Sequence, residues 1–224
     1  MKKLIIAIDG PAASGKSSTA KRVARELGYI HIDTGAMYRA VALKAIRQGI
    51  DAGDIEAIGR MAASTTVRIE YDRIQTPHVL LDGEDVTDSI RLPEVSKAAS
   101  AISAVPAVRE LLVREQRVMG VAGGIVMDGR DIGTVVFPEA ELKIFMVADV
   151  YERAVRRAME LEEKGIRADI LALEREIMER DKNDSTRVHS PLKKADDAIV
   201  INTTRLTIEE QTAMILSKVK ELLA

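Results

Sequence analysis

The sequence contains no cysteine, which excludes a disulfide framework and thiolate metal sites and is compatible with a reducing compartment. Aromatic residues make up only 3% of it, too few for the stacking platform of a single-strand nucleic-acid binder. No sign of charge dominates: 33 Lys and Arg stand against 35 Asp and Glu, a formal net charge of -2. Nothing draws the whole molecule to a polyanion, so any phosphate binding has to come from local clustering. Long apolar runs are missing near the start, where Asp9 cuts the stretch Leu4 to Ile8 after five residues, too short for a signal core or a membrane span. The three histidines, His31, His78 and His189, are scattered without ligand spacing, so neither a histidine metal cluster nor histidine-based catalysis is expected.

What is present points to a packed α/β protein. At 224 residues, 46% of them hydrophobic, the chain can bury a sizeable core, and one main domain with an insertion is expected. Leu4 to Ile8 reads as a buried strand, and Ala20, Val23, Ala24 and Leu27 follow at helical spacing before Gly28. Tyr29 to Ile32 reads as a second strand with a helix over Ala36 to Gln48 behind it. Further apolar runs at Ile125 to Met127, Leu142 to Val147 and Ala198 to Ile201 complete five strands of a mostly parallel sheet flanked by helices. Between Thr65 and Val86 the period changes to two, and the turn signal Asp82-Gly83 predicts small antiparallel hairpins. The segment Lys182 to Asp197 has little periodicity and reads as a mobile loop. The nine methionines read as packing residues.

Three groups of residues carry chemistry. Gly10-Pro11-Ala12-Ala13-Ser14-Gly15-Lys16-Ser17 is a P-loop pattern set between a predicted strand and a predicted helix. Its backbone can wrap a phosphate chain, Lys16 can reach the outer phosphates, and Ser17 can ligate Mg²⁺. Asp128-Gly129-Arg130-Asp131 follows a strand directly, which places it at the carboxyl edge where open α/β sheets bind ligands. Asp128 suits a hydrated Mg²⁺ there. The third group is arginine-rich: Arg153, Arg156 and Arg157 on one predicted helix, then Arg180, Asp184 and Arg187 nearby. Guanidinium forks suit phosphates, although any single one of these arginines also reads as part of a solvated face paired with Glu152, Glu160 or Glu179. Thr34 and Arg39 follow the second strand and can seat an acceptor phosphate, while Thr34 or Asp33 can also cap a helix.

The residues resemble the bacterial cytidylate kinases almost end to end: Ile8-Asp9-Gly10-Pro11 into the P-loop, Asp33 to Arg39, Asp82 to Val86, Asp128 to Pro138 and Glu179-Arg180-Asp181. The resemblance implies an ATP-dependent phosphotransferase acting on CMP or dCMP with Mg²⁺, cytoplasmic and monomeric, without nucleic-acid or membrane partners. Within residues 1–224 it implies a P-loop kinase core (1–62, 87–163 and 198–224), a monophosphate-binding β-insert near 63–86 and a lid region near 164–197. The P-loop with Ser18 would hold ATP, and Ser17 with Asp128, the latter through water, would hold the metal. Lys16, Thr34, Arg39 and Arg130 would hold the acceptor and transferred phosphates, with Arg153, Arg157 and Arg180 completing the catalytic set. Ser100, Arg109 and Asp131 would read the cytosine edge, and Asp184 with Arg180 and Arg187 would hold the ribose. Thr34 stands where many members have serine. Two other readings exist: a hydroxyl kinase of shikimate-kinase type, in which Asp33 acts as base, and a noncatalytic nucleotide switch.

Overall fold

The computed structural model describes residues 3–163 and 165–224; Met1 and Lys2 of the N-terminal run, and Lys164 at the start of the expected lid, lie outside them. The chain forms two compact units, one made of the residues up to His31 with Gly123–Ala224, the other of Ile32–Ala122.

The first unit is built on the five-stranded sheet of order β2-β6-β1-β7-β8, with Ile30 and His31 as its part of β2. Its strands are β1 (Ile5–Asp9), β2 (Ile30–Asp33), β6 (Ile125–Gly129), β7 (Leu142–Val147) and β8 (Ile199–Asn202). β1 pairs in parallel with β6 and β7, placing Asp9 opposite Gly129 on one side and Phe145 on the other. Helices α1 (Lys16–Leu27), α6 (Val150–Glu162), α7 (Ile170–Thr186) and α8 (Ile208–Leu223) accompany it. The apolar run of β1 is unbroken because both faces of a central parallel strand are covered. Ile6 and Ile8 pack with Val23, Ala24, Ile144, Met146, Ile215 and Val219 in one core. Burying a side chain of that size contributes roughly 1.5–3 kcal/mol. α1 ends at Gly28 in left-handed backbone, whose N–H returns to the last carbonyls of the helix.

The second unit contains α2 (Thr34–Arg47), α3 (Ile55–Ala63), the antiparallel strands β3 (Val67–Tyr71), β4 (Pro77–Leu81) and β5 (Glu84–Asp85), then α4 (Pro93–Ile102) and α5 (Pro106–Gly120). The turn Asp82-Gly83 has both residues at positive φ, 51° and 89°, as a tight two-residue hairpin requires. The sheet expected over 63–86 is not a separate ornament. Val67, Val79 and Leu81 share one core with Met37, Val41, Ile58, Ile102, Val108 and Leu112, so the hairpins and helices α2 to α5 bury their apolar faces together.

The mobile loop expected from Lys182 onward is corrected in its first part, because α7 runs on to Thr186. Its buried face continues from Leu173 and Ile177 to Asp184, seven residues further on, so a carboxylate holds a position that apolar periodicity does not register. Irregular backbone covers 187–198. Among the described residues no helix is long and apolar enough to cross a membrane.

Candidate active site

The P-loop leaves β1 through left-handed backbone at Gly10 (φ 155°), Ala13 (56°) and Gly15 (88°). A side chain at position 10 is impossible, since its Cβ would lie 2.2 Å from the Met146 carbonyl oxygen. α1 begins at Lys16, so the N–H groups of its first turn, which have no acceptor within the helix, open onto the loop. Lys16 is buried and its Nζ donates to the Pro11 carbonyl at 2.9 Å. Ser18 is exposed on the first turn.

Several buried side chains hold this loop in shape. Arg153 Nη1 donates to Ala12 O at 3.2 Å, its Nε to Ala148 O at 3.1 Å, and its Nη2 pairs with Asp181 Oδ2 at 2.6 Å. Thr203 Oγ1 donates to Ser14 O at 2.8 Å, and Arg156 donates to both the hydroxyl and the carbonyl of Thr203. Arg157, expected in the catalytic set, sits a third exposed and paired with Glu160 at 2.9 Å, the solvated-face arrangement. Thr203 and Gln211, which accepts from Thr19 Oγ1 at 2.6 Å, have no motif signal in the sequence.

At the end of β6, Asp128 is buried and accepts from Ser17 Oγ at 2.5 Å, while His31 Nε2 lies 2.7 Å from its other oxygen. Burial pushes the Asp128 carboxyl up, but the hydrogen bond and charge of His31, the Lys16 charge and the Ser17 bond outweigh it, and it is held below the usual carboxylate range. His31 was not expected at this place. Nothing local marks it, because β2 and β6 become neighbours only in the folded sheet. The Ser17 hydroxyl and an ionised Asp128 are hard oxygen donors that fit Mg²⁺, an ion that keeps waters and takes phosphate oxygens. Among the described residues no group of three or more His, Asp or Glu could hold a metal.

Arg130 and Asp131 follow at once. Arg130 Nε donates to Asp184 Oδ2 at 2.8 Å, and Arg187 lies 3.7 Å from Asp184 Oδ1. Burial pushes Asp184 up, yet the charge and hydrogen bond of Arg130, then the charges of Arg180 and Arg187, carry it below the usual range. Asp131 is buried. The first unit thus gathers Lys16, Ser17 and His31 around Asp128, and Arg130, Arg180 and Arg187 around Asp184.

The second unit carries Thr34, Arg39, Ser100 and Arg109. Asp33 caps α2 by accepting from Ala36 N at 3.2 Å and pairs with Arg39 at 2.9 Å, so it aims that guanidinium. Thr34 is buried in the first turn of α2. Arg109, buried on α5, donates to Ser103 O at 3.1 Å and lies over the Tyr38 ring, 5.5 Å from its centroid. Ser100 is on α4, its carbonyl accepting from Ser103 Oγ.

A parallel sheet whose first strand runs into a phosphate loop, with a hydroxyl and carboxylate beside it and arginines behind, defines a P-loop phosphotransferase. The chain belongs to the cytidylate kinase family, whose sequence model matches residues 6–221. A protein from Pelotomaculum thermopropionicum named cytidylate kinase is 52% identical over 96% of this chain and 95% of its own length. One of the same name from Caldicellulosiruptor saccharolyticus is 52% identical over 99% of this chain and 96% of its own. The solved shikimate kinase of Bacteroides thetaiotaomicron is 11% identical with a TM-score of 0.51, covering 98% of this chain and 99% of that one, and shares the fold alone.

Proposed function

We propose that this protein transfers the γ-phosphoryl group of ATP to CMP or dCMP, giving ADP with CDP or dCDP, by direct in-line transfer. The observation that carries this reading is a preorganised P-loop, with Ser17 bonded to a buried Asp128, in a chain 52% identical over nearly its whole length to proteins named cytidylate kinase. A monophosphate attacks through an oxygen already ionised at neutral pH, so positioning and charge neutralisation suffice and no general base is needed. Lys16 exchanges the Pro11 carbonyl for the outer phosphates, while the backbone N–H groups of the loop and α1 bind the inner ones. Ser17, and Asp128 through water, would hold Mg²⁺, which would supply positive charge against the charge of the phosphates.

Arg130, Arg153, Arg157 and Arg180 stabilise the transferred charge. For Arg153 this requires that one of its present partners, Ala12, Ala148 or Asp181, be exchanged for phosphate oxygen. In the second unit, Thr34 and Arg39 bind the acceptor phosphate and Ser100 with Arg109 reads the cytosine; in the first, Asp131 reads the base, and Asp184 and Arg187 hold the sugar. The irregular segment 187–197 closes over bound nucleotide and excludes water, which would otherwise compete as acceptor. A cytoplasmic monomer of pyrimidine nucleotide metabolism belongs to the same proposal.

The hydroxyl-kinase reading needs Asp33 as base, yet that carboxylate caps α2 and holds Arg39. Coupled-assay ADP release with ATP and Mg²⁺ tests the choice across CMP, dCMP, UMP, AMP, GMP, shikimate and no acceptor. Turnover confined to CMP and dCMP is expected; ADP release independent of nucleoside monophosphate, or driven by shikimate alone, overturns the reading.

A further inference from the structure

No step above uses Asp9, yet it is among the most buried ionisable groups of the first unit, and its side chain accepts from backbone donors. Its Oδ1 accepts from Ile132 N and its Oδ2 from Gly133 N, both at 2.8 Å. Those donors open the short π-helical turn Ile132–Val136, and the first N–H groups of any helical turn have no acceptor within it. From the other side of the same turn, Val135 and Val136 donate back to the Asp131 carbonyl. Gly129, just before Arg130, is held opposite Asp9 in the β1–β6 ladder. Backbone on both sides of Arg130 and Asp131 is therefore fixed by one residue of β1: by its main chain before them, by its carboxylate after them. The residue that follows Asp9 is Gly10, the first of the P-loop, pinned in turn by its close approach to Met146 O.

We infer that Asp9 is a positioning residue, which registers Arg130 and Asp131 against the start of the P-loop and so governs binding of the acceptor nucleotide. Burial drives its carboxyl up to about 7; the Gly133 and Ile132 N–H bonds oppose this, the Asp131 charge adds to it and the Lys16 charge opposes it. A buried acid whose surroundings resist its ionisation is a poor choice for stability alone, which is consistent with a role in geometry. The inference rests on the acceptor-side reading of Arg130 and Asp131 given above.

Asp9→Asn keeps the size of the side chain but offers one oxygen, and turns an NH₂ toward one of two backbone donors. Steady-state kinetics of the purified full chain should show KM for CMP raised by at least about tenfold, with KM for ATP within about twofold, and a smaller preference for CMP over UMP. Gly133→Ala approaches the same contact from the other partner, since its Cβ would meet Asp9 Oδ2 at 3.4 Å and Lys143 Cδ at 3.2 Å. It should give the same split at smaller amplitude, and it decides the matter if Asp9→Asn does not fold. Folded variants that leave KM for CMP and the CMP-to-UMP ratio unchanged, or that raise both KM values equally, overturn the inference. A wild-type enzyme without CMP-dependent turnover overturns instead the functional reading on which it stands.

Discussion

The two units treat acidic side chains in opposite ways. In the first, Asp9, Asp128, Asp131 and Asp184 are all buried, alongside Lys16 and Arg153. In the second, no carboxylate is buried among the described residues; the core is apolar, and Asp82, Glu84 and Asp85 pair at or near the surface with Lys44, Arg47 and His78. Burying a charge is costly unless partners await it. The first unit bears that cost where highly charged phosphates must be met by groups already oriented, whereas the second gains its stability from packing and keeps only Arg109 as a buried charge. Substitutions at the buried ionisable residues of the first unit should therefore have large effects, whereas those at the surface carboxylates of the second should hardly act at all.

The largest effect is expected at Lys16. Lys16→Ala removes the mobile charge that meets developing negative charge, and turnover with ATP and CMP should fall by roughly 10²–10³-fold or more. The variant also loses the hydrogen bond to Pro11 O, and its thermal midpoint, measured alongside, separates lost chemistry from lost fold. Wild-type turnover in the variant would refute the role of the loop.

How much of this could be read beforehand depends on how local each signal is. The apolar run Leu142 to Val147 gives β7 to the residue, and Asp82-Gly83 gives the hairpin, because both patterns are complete within a few positions. The P-loop is legible for the same reason. What escaped depends on pairs far apart in the chain: Asp9 with Gly133, 124 residues away, and His31 with Asp128, 97 away. The helix over the first part of the expected loop from Lys182 is not legible because a carboxylate, Asp184, takes the buried position that an aliphatic residue usually marks. Among the arginines, Arg156 rather than Arg157 supports the P-loop flank through Thr203, a difference of 100° around one helix that spacing alone leaves open.

Next in size is a contrast of sign within the first unit. The folded pKa of Asp184 is lowered from 3.8, so its contribution to stability is complete above that value and is lost as pH falls through the folded one. Asp9 runs the other way. With its folded pKa raised from 3.8 to about 7, the stability it allows is complete below 3.8 and is lost as pH rises to about 7, by up to about 4 kcal/mol. Urea unfolding from pH 3 to 8 of wild type, Asp9→Asn and Asp184→Asn tests this. The lead of wild type over Asp9→Asn should shrink between about pH 4 and 7 and then level off; its lead over Asp184→Asn should hold from pH 8 to about 5 and shrink only on further acidification. A lead over Asp9→Asn that widens with rising pH would show that the two N–H bonds, not burial, dominate at Asp9.

The smallest effect is expected in the second unit, at a pair with better geometry than many buried ones. Both Arg47 nitrogens donate to the two oxygens of Glu84, at 2.7 and 2.9 Å, yet the side chains are 42% and 60% exposed. Water screens such a pair, and ordering two long side chains offsets much of what attraction remains. The turn beside it has stronger anchors: Asp82 accepts from Thr66 N at 2.8 Å and pairs with the mostly buried Lys44 at 2.6 Å. Glu84→Gln keeps the length of the side chain and one acceptor, and should shift Tm by less than about 2 °C in low salt and less still in high salt. A larger, salt-sensitive loss would mean that the antiparallel sheet depends on charge at its edge, and the contrast between the two units would then be one of degree.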